Sequence, residues 1–246
     1  MRKFAFGYRN SAASGVGLPA TASEANRALA VIGVAIVWVS FVFVVFPNLD
    51  LMVSRWFVSG KAFVLSENPF LMEVRDISRL AQPWLIGAMI VLIALQRLLP
   101  GRLWFSSPHK PLFVLLSFAA GPLLIVHTLK VLIGRVRPSE LAEFGGTMDF
   151  TPVWQFSAAC SRDCSFPSGE ASAAAASLSL LVLVPARFRR AAAILLVPCL
   201  LLVALNRVVF GAHFLSDVML GWLLTMFAMA WIWRWMEAYT DAELWS

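Results

Sequence analysis

The chain is short of charge. Asp, Glu, Lys and Arg make up 14% of its 246 residues, against 60% hydrophobic, and the mean hydropathy is +0.78. A soluble domain has about a quarter of its residues charged, so the composition excludes that class and implies an integral membrane protein of one domain. Cysteine is also scarce. Three cysteines cannot build a disulfide scaffold, and no histidine lies near Cys160 and Cys164 in sequence to complete a zinc site. A local disulfide between these two is expected, which would require an oxidising compartment. Cys199 sits inside an apolar run and reads as packing. No repeat of about 20–50 residues is present, which excludes a solenoid. The net charge is +6, but the basic residues are scattered between apolar runs. Membrane topology explains that pattern better than a nucleic-acid partner does.

What the chain does have is long apolar runs. They predict an all-α bundle of six membrane spans, near 28–46, 83–99, 111–133, 169–186, 191–208 and 213–233. No small-x-small cleavage site follows the first run; the chain continues Pro47-Asn-Leu-Asp50. An uncleaved span is therefore expected. The predicted organisation is a basic tail over 1–27, a membrane domain over 28–236 and a short tail over 237–246. Asn68-Pro69 is a helix start signal. The periodicity after it predicts a helix to about residue 81, with Glu73, Arg75, Asp76 and Arg79 on its polar face. It lies in the membrane interface or packs on the domain surface.

Eleven of the 20 Lys and Arg residues fall on one side of this arrangement: Arg2, Lys3, Arg9, Arg27, Arg97, Arg102, Lys110, Arg187, Arg189, Arg190 and Arg234. The positive-inside rule then puts both termini in the cytoplasm and the segments 47–82 and 134–168 outside. Helix rise tests this. Lys110 to Lys130 spans about 30 Å, Glu170 to Arg187 and Arg190 to Arg207 about 26 Å each, and His213 to Arg234 about 32 Å. Each matches one hydrocarbon thickness of about 30 Å. Lys130, Glu170, Arg207 and His213 therefore reach the same outer surface.

The residues that meet there form a chemical set. Lys130, Arg135 and Arg137 lie on one segment, which Pro138 ends. Guanidinium and ammonium groups suit a tetrahedral oxyanion. Pro167-Ser168-Gly169-Glu170 opens a helix and points backbone N–H groups at an anion. His213 and Asp217 are four apart, on one helix face if the helix has begun, so the carboxylate can fix the ring tautomer and leave the other nitrogen as nucleophile. In this scheme His213 attacks phosphorus while Lys130, Arg137, Ser168, Gly169 and Arg207 hold the charge. Glu170 in its acid form protonates the leaving oxygen and then activates water. The scheme needs neither metal nor cofactor. Arg135 reads as a solvated or headgroup contact, and His127 as a satisfied helix residue.

Three motifs resemble those of the type 2 phosphatidic acid phosphatase superfamily. They are Lys130 to Arg137-Pro138, Pro167-Ser168-Gly169, and Arg207, His213 and Asp217 in the family's spacing. The second departs from the pattern, because Glu170 stands where the family usually has its general-acid histidine. That residue, with Phe46-Pro-Asn-Leu-Asp50, Cys160-x-x-x-Cys164-Ser-Phe and Gly211-x-His213-Phe-x-Ser-Asp217, is similar to the bacterial lipid A 4′-phosphatase branch. The resemblance implies a Gram-negative inner membrane, a periplasmic site, and lipid A or a precursor as substrate. Other readings stay open at this point. The same site serves an undecaprenyl pyrophosphate or phosphatidylglycerophosphate phosphatase, or a lipid phosphotransferase. The missing histidine also admits an inactive lipid-binding protein. The greasy segment Phe144, Met148, Phe150, Trp154 and Phe156 either packs over the helix ends or lines an acyl path.

Overall fold

The computed structural model describes residues 20–98, 108–161 and 163–239. The basic tail up to residue 19, Arg102, Arg162 and the tail from 240 lie outside the described residues. The chain is helical: α1 Ala20–Val45, α2 Asn48–Arg55, α3 Pro69–Leu98, α4 His109–Phe118, α5 His127–Ile133, α6 Gly169–Ser177, α7 Ala186–Val209 and α8 Leu215–Tyr239. A two-stranded hairpin, β1 Val58–Ser59 and β2 Ala62–Phe63, is the sheet among the described residues. A π-helical stretch, Ala119–Val126, joins α4 to α5 into one rod. It contains Pro122, whose missing N–H breaks the regular ladder at that point.

Five helices are long and apolar enough to cross a membrane: Glu24–Val45, Pro69–Leu98, His109–Glu140, Ala186–Val209 and Leu215–Glu237. The sixth expected span is shorter. Gly169–Ser177 is α-helical and Leu178–Leu183 continues as 3₁₀-helix. The tighter 3₁₀ turn rises further per residue, so the 15 residues still extend about 26 Å. A short helix is tolerated here because α6 is interior. Ala171, Ala173, Ala174, Ala175 and Ala176 are all buried, and their small side chains let α7, α8 and the π-helical stretch close on it.

α8 is the central post, contacting α1, α4, α6, α7 and the π-helical stretch. Close approach is built in at Gly121, where a Cβ would fall 2.5 Å from Thr225. The Thr225 hydroxyl in turn bonds Ser172 at 2.6 Å. Valines and aromatics on α1, such as Val34, Val37, Trp38 and Phe41, face outward and are exposed, as suits a lipid-facing surface.

One expectation is corrected. The helix predicted to stop near residue 81 and the span predicted from 83 are a single helix, α3, with Pro83 inside it. Proline is a weaker stop in a membrane helix, because neighbouring groups re-satisfy the freed carbonyl. Arg75 and Arg79 therefore stand on the first turns of a span. At that end of the bundle, α2, the hairpin and the segment 134–168 share a small core of Leu51, Phe63, Val136, Leu141, Phe144 and Phe214. Much of the greasy segment is packing: Phe144 meets Phe63, Phe150 meets Phe214 and Trp154 meets Phe166, while Phe156 stays exposed.

Candidate active site

α7 ends at Val209, and the chain reverses through Gly211, whose φ of +65° suits glycine. His213 therefore sits in the bend before α8, not on the helix. Its Nδ1 lies 2.6 Å from the carbonyl oxygen of Ser165. Asp217 Oδ2 is 3.9 Å from the same nitrogen, beyond hydrogen-bond reach. The tautomer is thus fixed by a backbone carbonyl, and the expected Asp217 contact is corrected. The cause is the bend: residues four apart share a face only when both are helical. The His213 ring is buried, which pushes its pKa below the ordinary value; Lys130 adds to that and the neighbouring Glu170 opposes it.

Asp217 has a different role. Its carboxylate accepts from the Ser165 hydroxyl and Arg135 Nη1, both at 2.5 Å, and from the Phe214 amide at 2.9 Å. It pins the start of α8 to the Ser165 segment that carries the His213 acceptor. Arg135 is fully buried, contrary to the solvated role expected for it. Nη2 donates to Asp50 Oδ2 at 2.8 Å, Nη1 also reaches the Ser216 hydroxyl at 2.8 Å, and Nε donates to the Thr151 carbonyl at 2.8 Å. The guanidinium stacks 4.2 Å over Phe214. Asp50, on α2, further accepts from the amide and hydroxyl of Ser216. A buried arginine needs such partners, because leaving its charge unpaired is prohibitive.

The Pro167-Ser168-Gly169 turn is also partly committed. The Ser168 amide donates to the Asp217 carbonyl at 3.1 Å and its hydroxyl oxygen caps Ala171 at 3.3 Å. Gly221 permits this contact: a Cβ there would lie 2.8 Å from the Ser168 carbonyl oxygen. Ser168 therefore organises the turn. The amides of Gly169 and Glu170, in the first turn of α6, have no acceptor within the helix.

Glu170 joins the remaining groups. Oε2 is 3.5 Å from His213 Nε2, and Oε1 is 2.6 Å from Arg79 Nη2 and 3.4 Å from Arg207 Nε. The Arg207 side chain is 4% exposed, and its Nε and Nη1 have no hydrogen-bond partner among the described residues. Two buried guanidinium donors beside Glu170 suit a tetrahedral oxyanion. Lys130 lies within electrostatic range of Glu170, Arg137 and Asp217. Arg137 donates to the Asp163 carbonyl at 2.7 Å, inside the five-residue ring closed by the Cys160–Cys164 disulfide. His127 is exposed on α5. Among the described residues no group of three or more His, Cys, Asp or Glu is placed to hold a metal ion.

Sequence reasoning thus missed Arg79, Asp50, Ser165, Ser216 and the burial of Arg135. For Arg79 a signal was available. It precedes Arg97 by 18 residues, about 27 Å of helix, close to the intervals from which the other four groups were expected to share one surface.

Comparison with known proteins follows the geometry. The PAP2 superfamily model matches residues 110–241. A lipid A 4′-phosphatase of Rhizobium leguminosarum is 41% identical over 111 residues, 45% of this chain and 48% of that protein. One from Rhizobium etli is 40% identical over 111 residues, covering 45% and 43%. A third, from Francisella tularensis subsp. novicida, is 26% identical over 197 residues, covering 76% and 86%. The match spans about half the length of the two Rhizobium proteins. No solved structure matches the chain significantly.

Proposed function

This chain belongs to the PAP2 superfamily, and on that premise we propose that it removes a phosphate monoester, the 4′-phosphate, from lipid A at the periplasmic face of a bacterial inner membrane. His213 Nε2 attacks phosphorus. Arg207, Arg137, Lys130 and the first amides of α6 hold the transferring oxygens. Glu170 protonates the leaving sugar oxygen, then takes a proton from the water that hydrolyses the phosphohistidine. The developing charge is met by fixed cations, so no metal enters the scheme. Both termini lie in the cytoplasm.

One observation carries this reading. The Ser165 carbonyl holds Nδ1 as a donor, which turns Nε2 toward Glu170 and the unpartnered donors of Arg207. A nucleophile, an acid and an anion grip thus meet at one point.

Two cavities support a glycolipid. An apolar groove of about 170 Å³ lies between α3, α6 and α7 and is lined by Glu170, Gln82, Leu85, Leu180, Leu196 and Leu200. It brings lipid-facing surface up to the site and fits an acyl chain. An open cleft of about 500 Å³, lined by Ser139, Glu140, Thr147, Cys160 and Ser161 among others, lies beside Arg137. Its hydroxyl and carboxylate groups suit sugar hydroxyls. The Ser139 amide bonds the Gly211 carbonyl at 2.9 Å, tying the cleft to the His213 bend.

The test is phosphate release by the purified, detergent-solubilised protein from lipid A, undecaprenyl pyrophosphate and phosphatidylglycerophosphate, with mass spectrometry locating the phosphate lost. Preferred loss of the 4′-phosphate is expected. Preference for either other lipid would overturn the substrate, and no release from any would overturn the enzyme.

A further inference from the structure

Hydrogen-bond chemistry sets the proton count between His213 and Glu170. A carbonyl oxygen only accepts, so at 2.6 Å from Ser165 O the Nδ1 atom carries a hydrogen. Nε2 then faces Glu170 Oε2 at 3.5 Å. With no proton between them, a lone pair would point at a carboxylate. One proton therefore belongs to the pair. Arg79 bonds the other carboxylate oxygen at 2.6 Å and the Arg207 charge lies 3.4 Å from it; both favour the ionised form, which leaves the proton on Nε2. An imidazolium has no lone pair with which to attack phosphorus. His213 is also 1% exposed, with Glu170 3.5 Å from its Nε2, whereas Arg79 is half exposed.

We propose that Arg79 is a catalytic residue that arms the site. A substrate phosphate dianion draws Arg79 and Arg207 away from Glu170, and the Nε2 proton passes to the released carboxylate. The Nε2–H bond breaks and an Oε2–H bond forms; imidazolium and carboxylate become imidazole and carboxylic acid, with no change in net charge. The same event uncovers the nucleophile and loads the acid. As the Nε2–P bond forms and the P–O bond breaks, that proton goes to the leaving oxygen. Burial of the ring favours the transfer once the cations have left Glu170.

Among the described residues, the charges around the pair are mostly cations or carboxylates with partners of their own. From α3, Arg75 pairs with Asp76 at 2.8 Å. Lys130 on α5, Arg137 after it and Arg207 on α7 are cations. Asp163 lies in the disulfide ring and within range of Lys130. Asp217 on α8 is occupied by Arg135, Ser165 and the Phe214 amide.

The proposal rests on the reading of His213 as nucleophile and Glu170 as acid, and two measurements separate the two. The first is the pH profile of kcat/KM on one lipid phosphate for the wild type, R79Q and R79K. The wild type is expected to give a bell whose limbs belong to the coupled pair. R79Q removes a cation, raises proton affinity and moves both limbs up by about 1–3 units. R79K keeps the charge and holds the limbs near the wild type. An equal loss at every pH, with unmoved limbs, would overturn the switch while leaving the hydrolase intact. The second needs no turnover. The chain has three histidines, so ¹⁵N-imidazole NMR with H213Q for assignment resolves His213. On the plateau of each bell, where the pair holds one proton, the wild type should show an imidazolium and R79Q a neutral ring with hydrogen on Nδ1. The same state in both would overturn the proposal even if the enzyme is active.

Discussion

At residue 170 a glutamate stands between three positive or titratable partners: Arg79, Arg207 and His213. A carboxyl group matters most there when the leaving oxygen is a poor leaving group, because protonation then contributes about 10²–10⁴-fold. Glu170→Gln should lose about that factor on a lipid sugar phosphate while the protein stays folded. The loss should be much smaller on p-nitrophenyl phosphate, whose leaving group needs no acid. Equal losses on both substrates would remove Glu170 from acid catalysis. For His213 the measurement is direct. Brief reaction with ³²P-labelled lipid and an alkaline quench should trap acid-labile phosphate on the wild type and none on His213→Ala. Label on the variant would exclude His213 as nucleophile.

At the scale of elements, the site depends on a knot of short segments. α2, the segment after α5, the start of α8 and the Ser165 segment are tied by Asp50, Arg135, Ser216 and Asp217. No single helix places His213; the knot does, by holding Ser165 and the bend in register. Removing one partner of a buried ion pair costs about 3–5 kcal/mol. Asp50→Ala should therefore lower the melting temperature in detergent markedly and reduce kcat with it, although Asp50 does not reach the reacting atoms. An unchanged melting temperature would mean that the Asp50 contacts are not maintained in the membrane protein. α3 contributes at this scale too. Its continuity through Pro83 makes it a wall of the site, and carries Arg79 to Glu170 from 91 residues away in the chain.

At the scale of the whole molecule, α8 is a post against which α1, α4, α6 and α7 lean, and the α3–α7 side opens as an apolar groove at Glu170. A lipid reaching the site from the bilayer would enter there. Leu200→Trp fills the groove from α7. It should lower kcat/KM for a long-chain lipid phosphate about tenfold relative to a soluble aryl phosphate, because only the former buries an acyl chain there. An unchanged ratio would place the acyl path elsewhere. The orientation proposed for this bundle rests on charge alone, and a phosphatase reporter joined at the C-terminus should be inactive if that end is cytoplasmic.

Much of this was legible in the sequence because the bilayer is a strict ruler. Apolar runs with charged ends locate five helices long enough to span, with the sixth expected run a shorter helix, and helix rise from one charged end to the other indicates which residues lie at the same depth. The spacing of Arg207, His213 and Asp217 was legible for the same reason: those residues are close in the chain. Contacts between elements were not. That His213 bonds Ser165 rather than Asp217, that Arg135 is buried between Asp50 and Asp217, and that Arg79 closes on Glu170 all depend on how separate segments cross and where a helix begins. Those are set by packing and by pairing buried charges across the fold, and a one-dimensional pattern of hydrophobicity records neither.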